Sequence, residues 1–288
     1  MVRRYLSLVF VAVFFCCSPL FGQLAPDRPA PKFLPTGELR VGINPEQPPL
    51  IFVHEERIVG LEADLARAFA VDLGVPLNFV VMEWDELIPA LVAGKIDIIM
   101  SGMSATEIRS VRINFATPYL VTGQMPMVRA SDLSRYQTTM ALKNTQARIG
   151  VEGGTTGDFL VRESFVYAER VPYKDIQDAA DGLANGEIDM VIADAPTIWW
   201  LAAIDETSGL SPVSAVLTNE MIGWGISKAN PDLRNAADSF LVKLQGNGEL
   251  DPMIERWMPF ATKQNRQASP QPKPAPEPAD QNLKHMER

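Results

Sequence analysis

The stretch Ala90–Tyr119, ALVAGKIDIIMSGMSATEIRSVRINFATPY, decides how this chain folds. It begins as the end of a helix that Gly94 can stop, because glycine takes the left-handed backbone conformation cheaply. Ile96–Met100 then runs almost unbroken in apolar residues, the pattern of a short strand buried on both faces. Directly after it come Gly102, Ser104, Thr106 and Arg109: an approachable backbone, two hydroxyls and a guanidinium. In open α/β sheets ligands bind beyond the carboxyl ends of the strands. An arginine there can grip a carboxylate through two parallel hydrogen bonds. The end of this strand reads as an anion site.

The same unit returns at an offset of 92 residues, where Leu91, Gly94, Ile96 and Asp97 match Leu183, Gly186, Ile188 and Asp189. The apolar Ile98–Met100 matches Met190–Ile192, and Asp194 stands where the first copy has Gly102. Two helix–glycine–strand units therefore end in polar positions, one near an arginine and one carrying a carboxylate. That is the charge pattern needed to hold a zwitterion between two lobes.

Outside this core the sequence changes character. Residues 1–22 carry Arg3 and Arg4, an apolar run from Tyr5 to Phe15, and then CCSPLFG. The run is short for a membrane span and Pro19 breaks it, so it reads as a secretory signal peptide cleaved after Gly22. Lipidation at Cys16 and an uncleaved anchor are the lesser alternatives. Both cysteines lie here, which leaves the rest without a disulfide, a thiolate metal site or a cysteine nucleophile. Proline-rich Ala25–Pro35 and Ser269–Asp280 are expected to be extended and uncovered, as a linker over 23–35 and a disordered tail over 263–288. The tail's alternating prolines offer no apolar face to bury, so it is expected to be dispensable for folding and ligand binding. It holds five basic and three acidic residues; with Arg3 and Arg4 it removes four positive charges from a total of −9 and leaves −13 on Gln23–Thr262. So acidic a body argues against nucleic acid and anionic lipid as partners.

Within the body, strand and helix patterns alternate. Glu38–Ile43, Pro76–Met82 and Arg148–Val151 read as strands, and Leu61–Leu73, Asp175–Ala184 and Pro231–Gly246 as helices. Gln124–Val128 is apolar enough for a strand that crosses to a second lobe, and the chain returns near Met221–Gly225. This alternation predicts an α/β fold with mostly parallel sheets.

Six segments, in order, now carry a resemblance: GLEADLARAF (Gly60–Phe69), WDELIPALVAGKIDIIMSGMSATEIR (Trp84–Arg109), NFATPY (Asn114–Tyr119), IGVEGGTTG (Ile149–Gly157), NGEIDMVIAD (Asn185–Asp194) and the closing helix around Leu250–Trp257. Over about Leu39–Trp257 the chain resembles the family 3 solute-binding proteins, the extracytoplasmic amino-acid receptors of ABC importers. The resemblance implies a two-lobed periplasmic-binding-protein-like fold of type II with two hinge crossings. Residues 36–126 would form the first part of lobe 1, 127–222 lobe 2, and 223–262 the return. It further implies a monomeric periplasmic receptor that closes on a small amino-acid-like zwitterion, uses no cofactor or metal, and serves a permease in the inner membrane.

Residue by residue, Arg109 falls on the family's carboxylate-binding arginine and Asp194 on the carboxylate that takes the α-ammonium. Gly102 would offer its carbonyl, and Ser104 its hydroxyl and amide. Thr155 and Thr156 start the second lobe's helix, where free N–H groups and the helix dipole favour an anion. Asn44, Gln47 and Trp84 fall on positions that shape the side-chain pocket. The chain departs from many amino-acid receptors at Gln47, where they carry an aromatic, and at Leu50, where they carry phenylalanine. Trp84 is left as the platform.

Plainer readings stand beside these. Arg109 could pair with Glu107, Asp194 could cap the helix before Ala195-Pro196, and Trp84, Trp199 and Trp200 could be packing. GGTTG lacks the lysine and serine of a phosphate loop, and His54-Glu55-Glu56 lacks metal-ligand spacing. The alternative function is a cyclohexadienyl- or arogenate-dehydratase-like enzyme on the same fold, with Glu46 or Glu83 as general acid, or a signalling module derived from it. Fold alone does not separate these.

Overall fold

Two five-stranded sheets, each with two parallel and two antiparallel pairings, form the frames of two lobes in this computed structural model, which describes residues 30–204 and 206–259. The proposed signal peptide, most of the linker, and the tail over 263–288 lie outside the described residues. In the first sheet Leu39–Ile43 runs parallel to Leu77–Val81 and to Ile98–Ile99, and Gly225–Ile226 and Asn114–Phe115 complete it. In the second, Arg148–Glu152 runs parallel to Glu169–Tyr173 and Met190–Asp194, and Gln124–Arg129 and Leu210–Pro212 complete it.

The parallel halves are the strand–helix alternation read from the sequence, since parallel neighbours need a crossover between them. Gly225–Ile226 and Gln124–Arg129 pair antiparallel to their neighbours Ile98–Ile99 and Met190–Asp194 for a topological reason. The αβ strands run toward the cleft between the lobes, whereas a strand arriving from a hinge leaves it. In each sheet four strands therefore run one way and one runs against them, so the sheets are mostly parallel, as the alternation predicts. The crossings themselves pair as an antiparallel ribbon, Leu120–Thr122 with Glu220–Ile222. Gln124–Arg129 lies wholly in the second sheet, so the passage falls just before it and not at 126/127.

The 92-residue repeat has a packing cause that reaches back to the first strand of each lobe. Asp97 accepts from the Arg40 backbone N–H at 2.9 Å and from its guanidinium at 3.0 and 2.7 Å. Asp189 does the same to Arg148 at 2.9, 3.0 and 2.9 Å. Two residues on, a side chain on Gly42 would collide with Ile96, and one on Gly150 with Ile188, at 2.2 and 2.5 Å. Arg-x-Gly on one strand thus meets Gly-x-Ile-Asp on the next, and each lobe carries one copy.

One expectation is corrected. The linker reading of 23–35 fails at Phe33 and Leu34: Leu34 is buried in the first lobe's core and Phe33 packs against it. A turn closed by Leu34 N–H to the Pro31 carbonyl (2.9 Å) brings them in, and Asn230 holds the Phe33 carbonyl at 3.0 Å. Two large apolar side chains in succession outweigh the prolines around them.

Candidate functional site

Both lobes bring their repeated strand ends to the same cleft. On the first, Thr106 caps the short helix Glu107–Ser110 by accepting from the Arg109 N–H at 3.3 Å. The Arg109 side chain is buried, donates to the Ser104 carbonyl at 2.9 Å, and lies 5.2 Å from the centre of the Trp84 ring. Its partners are these groups rather than Glu107. Burial pulls its pKa down, while Asp194 and Glu220 favour the charged form. Ser104 is buried and donates to Glu220 at 2.5 Å. It reaches that carboxylate because it bridges to Ile222, which puts the returning crossing beside the strand end. Gly102 has φ 66°, and a side chain there would strike Leu50 at 2.9 Å. Its N–H donates to the fully buried Glu62, near the start of helix Leu61–Leu73.

On the second lobe Asp194 ends the strand Met190–Asp194. The Gln124 amide donates to it at 2.6 Å and to the Thr156 hydroxyl at 3.0 Å. Burial and the neighbouring Glu220 raise the Asp194 carboxyl to about 7, against the opposing pull of Arg109 and Gln124. Thr155 caps the helix Thr156–Ser164, accepting from the Asp158 N–H at 3.3 Å and donating to the Glu152 carbonyl at 2.8 Å. Glu152 is buried at the end of its own strand and accepts from Gln47 of the first lobe. Burial, only partly offset by Gln47, pushes its carboxyl to about 8. Trp84 crosses the cleft to donate to the Gly154 carbonyl at 3.2 Å.

Two small cavities, each about 20 Å³, lie along this cleft. The first is walled by Arg109, Ser104, Gly102 and Trp84, the second by Glu152, Gln124 and Ile176. Gln47, Thr155, Thr156 and Asp194 line both. Eight of the nine residues singled out in the sequence thus meet here. Asn44 does not: it braces a loop, its N–H on the Ser101 hydroxyl at 2.9 Å. Glu46 and Glu83 line neither cavity. Sequence reading missed Glu62, Gln124, Glu152 and Glu220. A glutamate between the apolar strand IGV and a glycine pair was a signal for Glu152; nothing local marks Glu220.

A closed two-lobed cleft with an arginine on one strand end and an aspartate on the other defines a receptor for a small charged solute. The chain belongs to the bacterial extracellular solute-binding proteins, family 3, whose profile matches residues 39–260. It is similar to the L-cystine-binding protein TcyJ of Escherichia coli K12, 25% identical over 226 residues, covering 77% of this chain and 82% of that one. It is also similar to the ABC transporter arginine-binding protein 1 of the same strain, 27% identical over 232 residues, with 77% and 91% covered. Among solved structures it resembles the ancestral amino acid-binding protein AncCDT-1, a precursor of cyclohexadienyl dehydratase. That match has 30% identity and a TM-score of 0.73, covering 78% of this chain and 97% of that one. The chain is a solute-binding protein, as the resemblance implied. Among the described residues no helix is long and apolar enough to cross a membrane.

Proposed function

We propose that this receptor captures an α-amino acid whose side chain ends in a second cationic group, for delivery to an ABC permease after export through residues 1–22. Arg109 takes the α-carboxylate, with Ser104 and the start of the second lobe's helix beside it. Asp194, shared by both cavities, takes the α-ammonium. Glu152 and Gln47 receive the far end of the side chain. One observation carries this reading: the cleft is electrically polar along its length, with a buried guanidinium at one end and a buried carboxylate at the other. Among the described residues no cation pairs with the buried Glu152, and a buried charge is stable only when paired. An arginine, a lysine or the distal ammonium of cystine supplies that pair, which accords with the arginine and cystine named in the two relatives.

Calorimetry with L-arginine, L-lysine and the neutral isostere L-citrulline tests it. Arginine or lysine is expected to bind at least tenfold tighter than citrulline, and Glu152→Gln is expected to erase most of that margin. Ion-pairing Glu152 in the complex also means proton release near neutral pH, read as an enthalpy that depends on buffer ionisation. Equal affinities for arginine and citrulline, unchanged in Glu152→Gln, would exclude a cation at this end.

A further inference from the structure

Away from the two small cavities, a groove of about 270 Å³ is walled by Pro49, Pro196, Trp199, Trp200, Trp257 and Pro259. Its walls come from both lobes. Trp199 and Trp200 lie on helix Ala195–Ile204, which follows Asp194 directly, and Trp257 ends helix Leu250–Trp257 on the first lobe. Phe52 of the first lobe joins them, 5.0 Å from the Trp200 ring and 5.8 Å from Trp257. Trp257 is oriented by its indole N–H, which donates to Asp64 at 2.9 Å. All three tryptophans remain partly exposed, so packing alone does not use their faces.

We propose that this groove is the docking site of the proline-rich segment Ser269–Asp280 of the same chain. The described chain leaves at Pro259, which is itself part of the groove wall. Nine residues, Phe260–Ala268, separate it from the segment, and at ~3.3 Å each they span up to ~30 Å, enough to turn back. The segment has proline at 270, 272, 274, 276 and 278. In a polyproline helix with three residues per turn, 270 and 276 share one edge and 272 and 278 another. Such ridges pack between aromatic rings with little entropy left to lose.

The test compares three proteins: the full chain, the chain ending at Thr262, and a full-length variant with the five prolines replaced by serine. The probe is the synthetic peptide SPQPKPAPEPAD. Docking predicts that acrylamide quenches tryptophan fluorescence at least twofold more strongly in both altered proteins. It also predicts slower amide exchange over 195–204 and 250–257 in the full chain. Added peptide should restore protection to the truncated chain saturably, and Trp200→Ala should abolish that response. The serine variant leaves the folded body untouched, so a folding defect cannot mimic the result. Equal quenching and exchange in all three proteins, with no peptide response, overturn the proposal. So does protection that depends on protein concentration and survives truncation, because a second copy of the chain would then be the occupant.

Discussion

Arg109 is buried, with Asp194 and Glu220 favouring its charged form, so what it binds must replace lost water. Arg109→Ala is expected to cost about 2–5 kcal/mol of binding, the usual loss when one member of a buried charge pair is removed. Calorimetry on the folded variant checks it, and wild-type affinity would contradict it. Asp194→Asn keeps the shape and leaves an oxygen for Gln124 while removing the charge. It should weaken an amino acid far more than the keto acid of the same side chain. Equal losses would return Asp194 to a helix-capping role. These two residues were legible because each stands at the end of a repeated unit. Glu152 carried only a weak local signal, because its meaning comes from Gln47, 105 residues away in the chain.

At the scale of elements, the arginine–aspartate clamp sets the register of each lobe's first strands. The two copies differ in exposure: Arg40 and Asp97 are 19% and 6% exposed, Arg148 and Asp189 41% and 28%. Asp97→Ala is therefore expected to lower stability by about 1–3 kcal/mol, since it orphans a part-buried backbone N–H and a guanidinium. Asp189→Ala should cost less, as water replaces part of what it removes. Denaturant melts of the two variants decide it, and the reverse order would contradict this account. The repeat itself was visible in sequence as Gly-x-Ile-Asp. Its cause was not, because Arg40 and Arg148 lie far upstream of the aspartates they clamp.

At the scale of the molecule, three desolvated carboxyls, Glu62 and Glu152 buried and Asp194 half-buried, set a pH dependence. Glu62 and Asp194 titrate at about 7 and Glu152 at about 8, each raised chiefly by burial. Unfolded, such groups titrate near ~4. Between those limits the folded chain binds more protons than the unfolded one, so its stability falls as pH rises from about 4.5 to 8. Asp189 acts oppositely: the Arg148 guanidinium holds it at about 2, and the stability it contributes is lost as pH drops from ~4 toward 2. Without ligand, the melting temperature should be at least about 5 °C higher at pH 5 than at pH 8. Glu62→Gln should narrow that difference. A flat profile in calorimetric scans would show that these carboxyls do not keep their protons.

What the sequence determined by itself was the pair of αβ units, their polar ends and the two-lobed frame, because periodicity, glycine stops and strand-end chemistry are local. The family's motifs then carried Arg109 and Asp194 onto the cleft. Tertiary structure alone decided the one reversed strand in each sheet, the entry of Phe33 and Leu34 into the core, and the four polar residues that complete the site. Glu62 gains its role by reaching the Gly102 N–H, Glu220 by riding the returning crossing past Ser104, and Glu152 by facing Gln47 across the lobes. Each is an ordinary glutamate in its own segment. Only closure of distant segments on one another takes water from these carboxyls, and their desolvation and charge neighbours are properties of the assembled cleft.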